Sequence, residues 1–169
     1  MSEKREELLT VSNLKVNFYT GKRCNIAVDG VSFAIHRGRT LGVVGESGCG
    51  KSVTAQAIMR LLPRLARIET GSITYHSKTS GDIRLDTLPA NGKTMRELRG
   101  KELAMIFQEP MTALNPVYSI GFQIGENLQY HTTMSKKERH ARSVELLRSM
   151  GIPSRSSGSE NIRISFQAA

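Results

Sequence analysis

The glycine-rich stretch GESGCGKS at residues 45–52 constrains the fold more than any other feature of the sequence. It follows the apolar run TLGVV at residues 40–44, a pattern typical of a strand covered on both faces. After the loop, apolar residues repeat on one helical side until Pro63: Val53, Ala57, Ile58 and Leu61. A strand, a glycine loop and a helix in this order predict the start of an α/β nucleotide-binding unit.

The same eight residues fit the pattern G-x-x-x-x-G-K-[ST] of a phosphate-binding loop. Gly45, Gly48 and Gly50 allow backbone angles that point successive N–H groups into one concavity, where phosphate oxygens bind. The helix that begins near Lys51 adds its N-terminal partial positive charge. Lys51 would supply a full charge to the β- and γ-phosphates, and Ser52 a hydroxyl ligand to Mg²⁺. The alternative is a glycine turn without a ligand, and the surrounding strand and helix favour the phosphate loop.

Alternating apolar residues predict half-buried antiparallel strands before the loop. The two sets are Leu14, Val16 and Phe18, then Val31, Phe33 and Ile35. Turns are predicted at residues 20–22 and 36–38. Beyond the loop we expect short strands at residues 72–75 and 82–85, and an apolar strand at residues 102–107.

A helix is predicted near the C-terminal end of the sequence. Ser135 and Glu138 have the spacing of a capping box. One apolar face follows, and Gly151 with Pro153 would close the helix. The residues of that face are Ala141, Val144, Leu147 and Met150. The chain after Pro153 is Ser-rich and shows no clear period.

Composition excludes several classes of function. Lys and Arg number 24 against 15 Asp and Glu, giving a net charge of +9, but the basic residues are scattered and favour no nucleic-acid partner. Cys24 and Cys49 form neither a disulfide framework nor a metal-ligand spacing, so we expect two reduced thiols. No run suits a transmembrane helix, and the charged N-terminus does not resemble a signal peptide, which predicts a cytoplasmic protein.

The surroundings of the loop resemble a known family. Residues 28–33, Gly38 and residues 41–48 are similar to the first strands and Walker A loop of ABC ATPases, and residues 105–116 resemble their Q-loop region. The stretch EPMTALNP at residues 109–116 resembles subunits that energise oligopeptide, dipeptide and nickel importers. The resemblance implies an α/β P-loop NTPase, an incomplete ABC-type nucleotide-binding domain. It would comprise an N-terminal antiparallel β-subdomain and the first part of the parallel core sheet. We expect this partial domain at residues 1–153 and a disordered tail outside the family pattern at residues 154–169.

The resemblance also implies roles for individual residues. Lys51 and Gln108 would be catalytic, with Gln108 contacting Mg²⁺ and the attacking water and Ser52 as the other metal ligand. Phe18 would stack on adenine, although a purely structural core aromatic and Tyr19 are the alternatives. Cys49 stands where family members often carry Ser, which should barely affect binding through backbone N–H groups. The ATP-binding residues would be Phe18, Gly45, Glu46, Ser47, Gly48, Cys49, Gly50, Lys51, Ser52, Val53 and Thr54.

The function implied by the resemblance is ATP-driven import of peptides or nickel. The subunit would bind MgATP, pair with a second ATP-binding subunit and act on transmembrane permease subunits from the inner face of the cell membrane. The sequence contains no Walker B strand, Leu-Ser-Gly-Gly signature or switch histidine, so this chain alone is expected to be an inactive ATPase. The alternatives are a non-catalytic nucleotide-binding fragment without transport activity, and an ABC-type ATPase head that acts on DNA.

The end of the sequence suggests a truncation by frameshift. Codons can be chosen for residues 158–169 so that the neighbouring reading frame encodes the expected Leu-Ser-Gly-Gly signature. We therefore expect the last dozen or so residues to be out of frame, which the DNA sequence would test. Without a Walker B strand beside it, the apolar run at residues 41–44 is expected to form an exposed, aggregation-prone edge.

Overall fold

The computed structural model describes residues 6–108 and 114–152. The chain divides into two compact units, Met1–Arg99 and Gly100–Ala169, which are described separately. Most of the importer-like stretch at residues 109–116, Pro153 and the predicted tail lie outside the described residues.

The first unit is built on a four-stranded antiparallel sheet. Its strands are β1 (Glu7–Thr20), β2 (Arg23–His36), β3 (Ala66–Ser77) and β4 (Gly81–Arg84), in the order β2-β1-β3-β4. Both alternating patterns lie in β1 and β2, which confirms the predicted strands, and turns follow at the predicted places. The third strand begins at Ala66 and is longer than predicted, because it continues the pairing with β1 as far as Phe18.

A β-bulge in β1 sets which side chains reach the core. Asn13 has a φ of 48° and lies against Gly71 of β3, where a Cβ atom would stand 2.5 Å from the Asn13 carbonyl oxygen. The bulge shifts the register between β1 and both of its neighbours. Leu14 and Val16, on the far side of the bulge, are completely buried. The largest fully buried side chains in the described residues are Leu14, Ile73, Leu85, Met95, Val11 and Val16.

Four α-helices and one short 3₁₀ turn complete the described structure. They are α1 (Lys51–Ile58), the 3₁₀ turn Leu85–Thr87, α2 (Lys93–Lys101), α3 (Ile120–His131) and α4 (Lys136–Ser149). The sequence predicted α1 and α4 but neither α2 nor α3. The Ser135 capping box at the start of α4 is confirmed, since Ser135 and Glu138 exchange both hydrogen bonds.

The predicted apolar face of α4 is only partly correct. Leu147 is buried together with Ser143, whereas Ala141 and Met150 are exposed. The Ser143 hydroxyl is accommodated in this buried position because it donates to the Arg139 carbonyl oxygen at 2.8 Å. Gly151 ends the helix with a φ of 72°, as predicted.

The strands predicted at residues 40–44 and 102–107 are wrong, because neither segment makes strand pairs in the described residues. Those residues form no parallel pair, so the sheet that is present is the antiparallel one. Val44 is 97% exposed and Ile106 is 94% exposed. A continuous apolar run becomes a strand only when neighbours cover both of its faces. The apolar run at residues 41–44 is exposed, as expected, but not as the edge of a strand, and its tendency to aggregate stays a prediction.

None of the helices in residues 6–108 and 114–152 has the length and apolar character needed to cross a membrane.

Candidate nucleotide-binding site

The glycine loop is anchored to the sheet of the first unit through Gly50. Gly50 is the N-cap of α1 and has a φ of 92°, in the left-handed region that favours glycine. A Cβ atom at Gly50 would lie 2.3 Å from the Ala27 carbonyl oxygen and 3.3 Å from Val28 Cγ2. The loop thus approaches the backbone of β2 so closely that only glycine fits, which fixes the start of α1 against the strand.

Lys51 closes the loop upon itself. Its Nζ donates to the carbonyl oxygens of Gly45 and Glu46, both at 2.6 Å, and lies 3.4 Å from Cys49 Sγ. The ammonium group is therefore held at the exposed surface of the loop. A Cβ atom at Gly45 would lie 2.6 Å from Cys49 Sγ, so a larger residue there would require the Cys49 side chain to move.

The first turn of α1 is suited to an anion. Neither a side-chain cap nor an acidic residue is present there, so no carboxylate competes for the helix N-terminus. Ser52 is exposed and Val53 is half-buried. Thr54 is tied to the loop, because its N–H and its hydroxyl both donate to the Gly50 carbonyl oxygen, at 2.8 and 3.0 Å. This geometry is compatible with oriented backbone N–H groups that bind phosphate oxygens.

The two candidates for the adenine-stacking aromatic differ in their surroundings. Tyr19 is engaged on both sides: its hydroxyl donates to Glu69 Oε1 at 2.7 Å, and the Arg67 guanidinium lies 5.7 Å from its ring centre. The hydrogen bond to Glu69 raises the pKa of Tyr19. Phe18 is half-buried and pairs with Asn25 and Ala66 on the neighbouring strands.

The strand register relates Phe18 to the part of β2 that the loop approaches. Val16 pairs with Val28, which Gly50 approaches, and Phe18 lies two residues farther along β1, a rise of about 7 Å. The pairing does not separate Phe18 from Tyr19, so both remain candidates for stacking on a base. The stacking role itself stays a prediction.

Gln108 belongs to the second unit, in a bend directly before residues 109–113, which lie outside the described residues. Its side chain is exposed. The predicted role of Gln108 toward Mg²⁺ and water stays a prediction, as does the role of Ser52.

Magnesium chemistry is compatible with the loop. No group of three or more His, Cys, Asp or Glu side chains in the described ranges could hold a metal ion. Mg²⁺ that accompanies a nucleotide takes most of its ligands from phosphate oxygens and water, and needs only one or two from the protein. The hydroxyl of Ser52, next to Lys51 at the helix start, is exposed and could supply one such ligand.

One part of the site could not be read from the sequence. The Ala27 carbonyl oxygen positions the loop through its contact with Gly50, but it is a backbone group on a distant strand. A backbone contact of this kind leaves no requirement for a particular side chain at residue 27. Only Gly50 indicated such a contact, because a glycine in a binding loop suggests that another part of the backbone lies close to it.

Comparison with known proteins gives one family and a consistent set of relatives. A family profile described as "ABC transporter" matches residues 28–166. The dipeptide transport ATP-binding protein DppD of Bacillus subtilis is 46% identical over 149 residues, 88% of this chain and 42% of that protein. The oligopeptide transport ATP-binding protein OppD of Bacillus subtilis is 45% identical, over 86% of this chain and 39% of that protein. The chain thus spans about two fifths of the length of these relatives.

Solved structures show the same fold. The ATP-binding cassette MJ0796, in a dimeric post-hydrolysis state bound to ADP and Pi, matches with a TM-score of 0.70 and 21% identity. The alignment covers 88% of this chain and 59% of that chain. A second dimeric structure of MJ0796, described as a bacterial ABC transporter cassette, matches with a TM-score of 0.71. The architecture is therefore part of an ATP-binding cassette fold.

Proposed function

Because the chain belongs to the ABC transporter family, we propose that it carries the nucleotide-binding part of a subunit that energises the import of peptides. The names of the relatives support this choice, since they are dipeptide and oligopeptide transport ATP-binding proteins. The observation that carries the proposal is the loop geometry, with Lys51 held at the loop carbonyls beside an uncapped helix N-terminus. We place the partial nucleotide-binding domain at residues 1–153.

ATP would bind through its phosphates. The backbone N–H groups of the loop and the first turn of α1 would surround the β- and γ-phosphates, and Lys51 would exchange the carbonyl oxygens of Gly45 and Glu46 for phosphate oxygens. Ser52 would hold Mg²⁺, which neutralises charge on the phosphates, and Gln108 would contact the same ion and the attacking water. Phe18 would stack on the adenine.

Transport would require other proteins. The proposed partners are transmembrane permease subunits and a second ATP-binding subunit, with this chain at the cytoplasmic face of the membrane. The dimeric form of MJ0796 supports a paired arrangement. The relatives named here transport peptides, so nickel remains a prediction from the sequence.

The experiment is MgATP binding and turnover with the purified chain. We expect Lys51→Ala to weaken MgATP binding by roughly ten-fold or more, because it removes the charge-assisted hydrogen bonds to phosphate. Lys78→Ala is the matched control, since it removes an exposed positive charge from the turn between β3 and β4 and should leave binding unchanged. Failure of the unsubstituted chain to bind MgATP would overturn the proposal.

Turnover separates the two forms of the proposal. Binding that depends on Lys51, without hydrolysis, would identify a non-catalytic nucleotide-binding fragment. Hydrolysis that depends on Lys51 would show that the chain is an ATPase, and that a carboxylate outside a Walker B strand polarises the attacking water.

A further inference from the structure

A cleft of about 470 Å³ lies in the first unit, at the end of α1 remote from the glycine loop. Its walls come from the loop after α1, the beginning of β3 and the segment around Asp86 and Ala90. The eight residues of α1 place it about 12 Å along the helix from the loop. Three arginines line it and define what we term the arginine cleft: Arg60, Arg64 and Arg67.

Arg60 occupies a backbone position that normally belongs to glycine. The Leu61 N–H donates to the Gln56 carbonyl oxygen at 2.8 Å and the Arg60 N–H to that of Ala57 at 3.1 Å, the pattern of a Schellman helix end. In that motif Arg60 has a φ of 54°, which is strained for any residue with a Cβ atom. Strained backbone positions persist only where the surrounding structure holds them, and they cluster at functional sites.

The Arg60 side chain is held in place within the cleft wall. Its Nε donates to the Leu88 carbonyl oxygen at 3.1 Å, which fixes the guanidinium without neutralising its charge. Arg67 contacts the ring of Tyr19, which also leaves its charge intact. Arg64 makes no hydrogen bond or ion pair with any residue in the described ranges. All three guanidinium groups therefore keep donors for a ligand.

The carboxylates that line the cleft are already engaged. Burial raises the pKa of Asp86, but hydrogen bonds from Arg84 and from the Ile73 N–H outweigh it and hold that pKa below the ordinary value. Glu69 accepts a hydrogen bond from the hydroxyl of Tyr19. Neither carboxylate pairs with an arginine of the cleft in the described residues, so the three positive charges are not cancelled by direct ion pairs.

We propose that the arginine cleft binds a small anion that carries two or more phosphate groups, at a site separate from the nucleotide. Guanidinium groups match phosphate oxygens with paired, parallel hydrogen bonds. The volume is in the range of small-molecule sites and exceeds what one phosphate fills. A soluble polyphosphate and the headgroup of a phospholipid with two phosphate groups share this chemistry, and the experiment distinguishes the two sources.

The first arm uses pyrophosphate and the full chain carrying Lys51→Ala, so that the glycine loop does not compete. Calorimetry should show binding, and the further change R64A with R67A should weaken it by roughly ten-fold or more. Lys78→Ala, which removes a positive charge elsewhere, should leave affinity unchanged. If Lys78→Ala weakened pyrophosphate binding as much as R64A with R67A, the effect would come from net charge alone, and the proposal would be overturned.

Arg60→Gly tests the cleft without relying on a variant that fails to fold. Glycine relieves the strain at this helix end, so the melting temperature should stay the same or rise. The affinity for pyrophosphate should nevertheless fall by roughly three-fold or more, because one guanidinium is lost. A stable variant with undiminished affinity would contradict a binding role for Arg60.

The second arm uses vesicles of phosphatidylcholine with and without cardiolipin, a phospholipid whose headgroup carries two phosphate groups. Binding of pyrophosphate alone would assign a soluble anion. Cosedimentation with the cardiolipin vesicles that is lost in R64A with R67A would assign a lipid headgroup. Absence of both would overturn the proposal. Failure of the chain to bind MgATP would leave this test unaffected, because binding of pyrophosphate is measured with Lys51 replaced and binding to vesicles needs no nucleotide.

Discussion

The sheet of the first unit and the apolar segment at residues 40–44 are both rich in aliphatic side chains. The side chains of the sheet are buried, whereas those of the segment are exposed. In β1, Val11, Leu14 and Val16 are almost completely buried. In the segment, Val43 is 59% exposed and Val44 is 97% exposed, with no strand pairing in the described residues. Hydrophobicity alone therefore does not decide burial here.

The difference lies in where each segment finds its partners. β1 and β2 are joined by a tight turn, so an antiparallel neighbour is available a few residues away. A run without alternation needs cover on both faces, and parallel neighbours are always distant in sequence. The described residues contain no such neighbour for the segment. The glycine loop connects the two regions. At its end Gly50 contacts β2, and at its beginning it continues from the unpaired residues 40–44.

Leu14→Ala should produce the largest change, because the side chain is fully buried beside the bulge of β1. Removing it loses buried apolar area and leaves a cavity, at a cost of about 2–5 kcal/mol in the free energy of unfolding. Urea unfolding measures this directly. Ile26→Ala on β2, where the side chain is 55% exposed, should cost less than about 0.5 kcal/mol. Similar losses for the two variants would refute the contrast between buried and exposed apolar residues.

Gly50→Ala should produce the next largest loss of stability, because a steric clash and an unfavourable backbone angle add at one position. The new Cβ would meet the Ala27 carbonyl oxygen at 2.3 Å, and the φ of 92° is unfavourable for alanine. We expect a loss of about 2–3 kcal/mol in thermal unfolding, together with loss of MgATP binding.

Gly48→Ala separates these two effects. Gly48 has a similar φ of 83°, but nothing lies within 4 Å of a Cβ atom there. Its cost should be only the backbone term, about 1–2 kcal/mol. If Gly50→Ala and Gly48→Ala were equally destabilised, the close approach of the loop to β2 would add nothing to the cost of the substitution at Gly50.

Acidification should weaken the sheet through Asp86, whose side chain is 9% exposed. Burial raises its pKa, but the bonds from Arg84 and the Ile73 N–H hold the folded-state pKa below the ordinary value. A depressed carboxyl pKa stabilises the fold above the unfolded-state pKa, and the contribution disappears as pH falls through the folded-state pKa.

The expected size of the Asp86 contribution is about 1.5 kcal/mol at neutral pH. Denaturant midpoints measured between about pH 6 and about pH 3 should therefore fall, and the decline should be shallower in Asp86→Asn. A profile unchanged by the substitution would assign the acid sensitivity to other carboxylates.

Local patterns explain which elements were predictable. The alternation in β1 and β2, the capping box of Ser135 and the glycine loop each depend on residues close in sequence, and the structure contains all of them. Helix α3 was missed because Gly121 and Gly125 lower its intrinsic helix propensity, although Ser119 caps it. Helix α2 was missed because it is short and buries only Met95 and Leu98.

Tertiary contacts explain the rest. Whether residues 40–44 form a strand depends on a neighbouring strand that no local pattern encodes. The contact of Gly50 with Ala27 and the arginine cleft likewise join residues that are far apart in sequence or hold unusual backbone angles. The sequence could therefore identify the loop chemistry, but not the support behind it.

Val44→Ser should produce the smallest change in stability of the substitutions considered, although it lies in an apolar segment. With 97% of its side chain exposed, Val44 should contribute less than about 0.5 kcal/mol to the free energy of unfolding. Self-association should fall instead, because the substitution interrupts an exposed apolar run. Urea unfolding and sedimentation at rising concentration measure the two effects separately. A destabilisation as large as that of Leu14→Ala would mean that residues 40–44 pair with another strand in solution. The apolar side chains of both regions would then be buried by strand pairing.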